Sequence, residues 1–355
     1  MILISTVIYN FGKIMYFIKR ICMKLAVVKL SAMGDIIHAM VALQYIKQKH
    51  PNLRIDWIVE ESFSAVLEGN PDIDNILSVN LKSIKNNKSN FFAQRRLIKE
   101  YAKNSYDLVI DAQGLIKSAI TARLLGGKKI VGFSKKSIRE GVASYFYNQK
   151  VEIAYTANTI DRNAKVMSEP LGFEITSQMI IDKKAFLFYD NSKFTIDEYL
   201  SKTKKNIIFI IGSTWESRNY PKDKFARIAS LLEANCLVAW GSEKEYEKAL
   251  WIECHSKYAT ALPKINLNSL KAIIAKSDLL IGNDTGPTHM AWGLNIPSIT
   301  IFGPTPVNRV YQTPINKVIK SKSKVDHYNL DKNDFSIADI RSDIIINMAR
   351  ELLNG

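Results

Sequence analysis

Three polar clusters hold the residue types that proton transfer and anion binding require. The first is Lys29-Leu30-Ser31-Ala32-Met33-Gly34-Asp35-Ile36-Ile37-His38. It follows the apolar run Leu25-Ala26-Val27-Val28 and precedes Ala39 to Ile46, whose apolar residues recur at helical spacing. It therefore reads as a buried strand, a loop of small residues and a helix start. Gly34 is expected to permit a tight turn. Asp35 is carried to the helix start at the carboxyl edge of a sheet, where open α/β folds bind ligands. The second cluster, Gly212-Ser213-Thr214-Trp215 with Arg218, follows Asn206 to Ile211. Its amides, hydroxyls and guanidinium suit a phosphate, although Ser and Thr also cap turns for local reasons. The third, Ser277 to His289, runs from a strand into Asn283-Asp284-Thr285-Gly286-Pro287. Pro287 stands where the first turn of a helix tolerates proline. Unpaired amides at such an end, with Gly286 allowing close approach, make a site for a diphosphate. Asp284 would repel a phosphate, so it suits a sugar hydroxyl. His289 either reaches the phosphate or packs as a core histidine.

Two carboxylate pairs are weaker candidates. Glu243 and Glu245 follow the strand Leu237 to Trp240, where an acid commonly accepts ribose hydroxyls. Acids at helix starts also occur without any ligand. Glu60 and Glu61 end the strand from Arg54, but neighbours on a strand face opposite ways. A solvated strand end is expected there rather than a paired acid site.

Alternating strands and helices must position these groups. In the first half, strands at Leu25–Val28, 54–61, 73–79, 106–111 and 130–133 alternate with helical segments, and the loop Asp111-Ala112-Gln113-Gly114 repeats the opening pattern. Successive strands then end in polar loops on one edge, whose rim would hold Asp35, Gln113, Lys117 and Arg139. Residues 186–205 are polar and lysine-rich and read as a linker. A second α/β series begins at Asn206, with strands at 237–240, 278–281 and 297–302, the last ending in Gly303-Pro304-Thr305 at the same edge. The expected division is 1–22, 23–185, 186–205, 206–335 and 336–355. The last segment carries helical apolar spacing and is expected to pack back across the domains.

Composition bounds the rest. The 355 residues are too many for one ordinary core, so two domains are the prior. Three cysteines without a CxxC or Cys/His pattern argue for a reducing compartment and against a zinc site. The net charge of +15 calls for an anionic partner. No zinc finger, RNP motif or arginine-rich arm points to nucleic acid. Residues 82–103 hold seven Lys and Arg against Glu100, beside Phe91, Phe92, Leu97, Ile98 and Tyr101. That is either a surface for anionic head groups or a solvated helix face. The absence of GxGxxG with a ribose acid, of GxxxxGK[ST] and of GxSxG weakens dehydrogenase, P-loop and α/β-hydrolase readings. Met1 to Cys22 is apolar and aromatic, too short in its uncharged run to span a bilayer and without a cleavage site. It reads as an interfacial amphipathic helix or, preferably, as an extension preceding a true start at Met23-Lys24.

KLSAMGDIIHAMVAL near the start and NDTGPTHMAWGLNIPSITIFGPT near the end resemble the bacterial heptosyltransferases of glycosyltransferase family 9, from about Met23 to the end of the chain. WIVEE at 57–61, DAQGLIKSA at 111–119 and REG with YFYN between 139 and 148 resemble the type I lipopolysaccharide heptosyltransferases; type II is the rival, and a nucleotide-sugar or nucleic-acid binding module is the non-enzymatic one. The resemblance implies an α/β GT-B fold, with two Rossmann-like domains facing a cleft. It implies inverting transfer of heptose from ADP-heptose to the Kdo of Kdo-lipid A, with no metal or other cofactor. The enzyme would be cytoplasmic and peripheral on the anionic inner face of the inner membrane, with no nucleic-acid partner. By family position Asp35 is the base and Arg218, where lysine is typical, is the cation at the leaving group. Ser213, Thr214, Glu245, Lys264, Ile265, Leu267, Asp284, Thr285, Gly286 and His289 stand on the donor side. Ser31, Gly34, Gln113, Lys117 and Arg139 stand on the acceptor side.

Overall fold

In the computed structural model, residues 23–194 and 196–354 are described; the expectations for Met1 to Cys22 lie outside them. The described residues contain two six-stranded sheets, all parallel in their pairings. The first contains β1 (Lys24–Val28), β2 (Arg54–Glu60), β3 (Asn75–Val79), β4 (Leu108–Asp111), β5 (Lys129–Phe133) and β6 (Gln149–Val151), in the order β3-β2-β1-β4-β5-β6. The second contains β7 (Asn206–Ile210), β8 (Asn235–Ala239), β9 (Ala259–Ala261), β10 (Leu279–Asn283), β11 (Ser298–Phe302) and β12 (Asn316–Lys320), in the order β12-β11-β10-β7-β8-β9. Central strands such as β7, β10 and β11 are buried throughout. Parallel strands covered on both faces read as continuous apolar runs for this reason.

Each sheet winds one way for three strands, then returns to the middle and winds the other way. The return leaves a crevice between β1 and β4 in one sheet and between β7 and β10 in the other. Such switch points are where open α/β sheets take ligands. The loops leaving those four strands carry Asp35, Gln113, Ser213 and Asp284.

Helix α1 (Met33–Lys49) follows β1, and α8 (Gly286–Gly293) follows β10. Between and around them lie α2 (Asn90–Ala102), α3 (Ile116–Leu125), α4 (Thr159–Ser168), α5 (Lys222–Leu232), α6 (Glu243–Cys254) and α7 (Leu267–Ala275), and α9 (Ser342–Asn354) ends the chain. Alternation within strands sorts the second sheet's side chains between two cores. Ile208, Ile210 and Leu280 join Met290 and Trp292 of α8 and the buried residues of α1 in one continuous cluster. Ile207, Phe209, Leu279 and Ile281 face the other way, onto Phe225 of α5 and Ile345, Ile346 and Ala349 of α9. The two halves therefore share apolar packing through α1 and α8.

Three local expectations need correction. The terminal helix packs on the second half and not across both: besides those core residues, Arg350 donates to Leu231 O at 2.9 Å. The stretch expected as a polar linker carries buried Phe186, Leu187, Phe194 and Ile196. Phe186 sets its ring 5.3 Å from that of Trp292, and Asn70 Nδ2 donates to Phe186 O at 3.1 Å. The apolar run Ala185 to Tyr189 is followed by a longer lysine-rich polar stretch, which hid this strap. Glu60, expected at a solvated strand end, is buried, and burial raises its pKa against the opposing charge of Lys117.

Candidate active site

Helix α1 brings Asp35 to its third position, where Oδ2 accepts from Ala32 N at 3.3 Å. A first-turn acid meets the free amides and positive end of the helix there. The loop ahead of it is fixed from β4. Gln113 Oε1 accepts from Leu30 N at 2.7 Å and Ser31 N at 3.2 Å, while its Nε2 donates to Ser31 Oγ at 3.2 Å. Gln113 is in turn held by Asp111, which accepts from Gln113 N, Gly114 N, Ser118 Oγ and Tyr147 Oη at 2.9, 3.1, 2.8 and 2.7 Å. Burial raises the pKa of this carboxyl, and those four donors oppose the shift. Gly114 supplies the left-handed turn, with φ of +73°.

Gly34 serves a different purpose from the turn expected of it. It lies inside the first turn of α1, and a Cβ on it would stand 2.7 Å from His289 Cδ2. Gly286 meets the same limit from the other side, its Cβ position falling 2.7 Å from Met33 Cβ. The starts of α1 and α8 thus abut through two glycines. This contact sets Asp35 beside the loop that carries Asp284.

On the second sheet, Asp284 is a buried hub. Oδ2 accepts from Arg218 Nη2 at 2.7 Å and Thr305 Oγ1 at 2.9 Å, and Oδ1 lies 3.2 Å from His289 Nε2. Burial pushes its pKa up, but His289 and the Arg218 charge outweigh burial and hold the carboxyl well below the usual range. Asn283 ties this loop to the neighbouring turn: its Nδ2 donates to Ile211 O at 2.8 Å, and its Oδ1 accepts from Tyr220 N at 3.0 Å. Within that turn Ser213 Oγ, Ser217 Oγ, Arg218 Nε and Asn219 Oδ1 are buried without a protein partner. Buried polar atoms normally have partners, so this concentration suits a polar ligand. The amides of Thr288 and His289 turn back to Thr285 O, leaving those of Thr285 and Gly286 outside the ladder of α8.

The expected acceptor residues divide. Ser31, Asp35 and Gln113 line one cleft of about 250 Å³. Lys117 and Arg139 are not in its lining: Lys117 Nζ sits 3.9 Å from Glu60 Oε1, and Arg139 is exposed. On the donor side, Glu245 closes a capping box, its Oε2 accepting from Ser242 N at 3.3 Å and also from Gly241 N at 2.7 Å. Its other oxygen presses on Gly212, where a Cβ would fall 1.9 Å away. Lys264 stands over the Trp240 ring at 5.9 Å, and Ile265 and Leu267 are half-buried at the start of α7. Sequence reasoning gave no role to Thr305, Asn283, Lys29, Arg162 or Arg309. Thr305 and Asn283 were readable only as polar residues ending strands. Lys29 headed the opening cluster without a role, and Arg162 and Arg309 had no local signal among 49 Lys and Arg. Among the described residues, no group of three or more His, Cys, Asp and Glu could hold a metal ion.

Residues 94–334 match the profile described as glycosyltransferase family 9 (heptosyltransferase). A lipopolysaccharide heptosyltransferase 1 of Campylobacter coli is 38% identical over 351 residues, which cover 93% of this chain and 99% of that protein. The chain belongs to glycosyltransferase family 9. The corresponding heptosyltransferase 1 of Escherichia coli K12 is 29% identical over 293 residues, covering 80% of this chain and 88% of its own. Among solved structures, E. coli heptosyltransferase WaaC with ADP-2-deoxy-2-fluoro heptose superposes with a TM-score of 0.76 at 24% identity, over 93% of this chain and 99% of that one. That likeness shows the shared GT-B fold. This family 9 chain is a glycosyltransferase.

Proposed function

We propose that this family 9 enzyme transfers L-glycero-D-manno-heptose from ADP-heptose to the Kdo of Kdo-lipid A, with inversion and without a metal. The observation that supports this reading is the abutment of α1 and α8, in which the helix start bearing Asp35 meets the one bearing Gly286 and His289. The Asp35 carboxylate takes the proton of the acceptor hydroxyl, whose oxygen attacks the anomeric carbon. The bond to the diphosphate breaks and ADP leaves with the electron pair. Arg218 Nε, Ser213 Oγ, the Thr214 hydroxyl and the Thr285 and Gly286 amides stabilise its charge. Asp284 holds Arg218 and, with His289, faces the heptose. Glu245 takes the ribose, and Lys264, Ile265 and Leu267 flank the adenine. Ser31 and Gln113 shape the acceptor wall.

Incubation with ADP-heptose and Kdo-lipid A, followed by mass spectrometry, tests the reading directly. One added heptose is expected, with no loss of rate in EDTA and an inverted anomeric centre by NMR. Transfer only to an already heptosylated acceptor would replace this reading with the type II one. The names of the relatives support it, as does the ADP-heptose analogue in the solved WaaC structure.

A further inference from the structure

The cleft that holds Asp35 is lined by three cations from two domains: Lys29 beyond β1, Arg162 of α4, and Arg309 of the turn Val307–Arg309 after β11. Two of them are hydrogen-bonded within the protein. Lys29 Nζ donates to Ala112 O at 2.8 Å and to Asn163 Oδ1 at 3.2 Å. Arg162 donates Nη1 to Ala154 O at 2.9 Å and Nη2 to Ser137 O at 2.7 Å, with its guanidinium 5.0 Å from the Phe133 and Tyr155 rings. Arg309 is half-buried, and its guanidinium has no hydrogen bond or ion pair among the described residues.

The turn carrying Arg309 is nonetheless clamped to the first domain. Asn308 Nδ2 donates to Thr156 O at 2.8 Å and Ala157 O at 3.2 Å. Asn158 Nδ2 donates to Val310 O at 2.9 Å, and the Tyr311 hydroxyl donates to Asp161. A guanidinium held on a fixed turn, partly out of water and without a carboxylate, is poised for an anion from outside the chain. Its charge acts on Asp284, Arg218 and His38, so it stands close to the reaction centre.

Two anions could complete it: the leaving diphosphate or a carboxylate on the acceptor. The diphosphate turn already has Arg218 and its own orphaned donors. Arg309 instead shares a wall with Ser31, Asp35 and Gln113. A planar fork also matches a carboxylate with two parallel bonds. We propose that Arg309 grips the carboxylate of the acceptor's sugar acid beside Asp35, so that the donor domain completes the acceptor site. The inference rests on the acceptor class proposed above and adds the residue and the charge that select it.

Steady-state kinetics on the full chain test it with Arg309→Ala and Arg309→Lys. The acceptors are Kdo-lipid A, the same acceptor with its Kdo carboxylate converted to a carboxamide, and one with its lipid phosphates removed. Arg309→Ala is expected to raise the acceptor KM at least tenfold, with ADP affinity by calorimetry unchanged and Arg309→Lys in between. The carboxamide should impair the wild type by a similar factor and the Ala variant hardly at all, because the two changes remove one contact. The Ala penalty should persist on the dephosphorylated acceptor. An unchanged acceptor KM overturns the proposal. So does a loss confined to ADP or ADP-heptose affinity, which would move Arg309 to the diphosphate, or a penalty that disappears with the lipid phosphates. A wild type that transfers heptose to none of the acceptors overturns the parent reading and this one with it. A wild type that transfers while Arg309→Ala is indistinguishable from it overturns this one alone.

Discussion

Asp35 and Asp284 are both acids in the strand-to-helix turns that follow parallel strands, yet the protein treats them oppositely. Asp284 is buried with both oxygens occupied by Arg218, Thr305 and His289. Asp35 has one backbone amide and an open cleft before it. Only the second can receive a proton from a bound substrate. Asp35→Asn is therefore expected to lower turnover about 10²- to 10⁴-fold, the usual worth of a general base. ADP-heptose affinity, measured by calorimetry, should stay at the wild-type value. Near-normal turnover would remove Asp35 from the mechanism. The sequence marked both acids by their place after a strand. It could not tell the open one from the paired one, because Arg218 and Thr305 reach Asp284 from 66 and 21 residues away.

At the scale of elements, the contact between α1 and α8 decides the site. Gly34→Ala would drive a methyl into the His289 ring. Overpacking of this kind costs about 1–3 kcal/mol, and here it falls between domains. A lower melting temperature and a loss of kcat of tenfold or more are expected together; unchanged values of both would show that the helices yield at no cost. The same contact buries His38, whose ring lies 4.6 Å from that of His289 and 6.0 Å from Trp292. Burial, and then the neighbouring His289, lower its pKa well below 6.5. The unfolded chain takes up a proton near pH 6.5 while the folded one does not. The stability this group contributes is thus complete above pH 6.5 and is lost as pH falls towards its folded value. The slope is about 1.4 kcal/mol per pH unit. Urea midpoints between pH 7.5 and 5 should fall more steeply in the wild type than in His38→Gln; equal slopes would contradict this.

The whole molecule presents its surplus charge unevenly. Helix α2 and the turn before it expose Lys85, Lys88, Arg95, Arg96 and Lys99, beside Phe91 and Phe92, which are 45% and 69% exposed. Large exposed aromatics beside cations suit a layer of anionic head groups. No described helix is long and apolar enough to cross a membrane. Phosphatidylglycerol vesicles should therefore sediment the protein at low salt and release it at high salt. Phe91→Ser with Phe92→Ser should weaken that binding without changing ADP affinity. Indifference of the wild type to anionic vesicles would reject the surface.

What the sequence determined by itself was local. Apolar runs, glycines, Pro287 and polar strand ends specified the strand–loop–helix units, because those signals act within a few residues. They placed Asp35, Gln113, Ser213 and Asp284 on carboxyl edges, and the family motifs named the chemistry. The tertiary structure alone decided that Gly34 is a contact rather than a turn and that Glu60 is buried. It also decided that Phe186, Leu187, Phe194 and Ile196 pack into the core, and that Arg309 enters a cleft belonging to the other domain. Each of these depends on chain segments that meet only after two sheets have wound past their switch points. No window of sequence contains both partners of such a meeting.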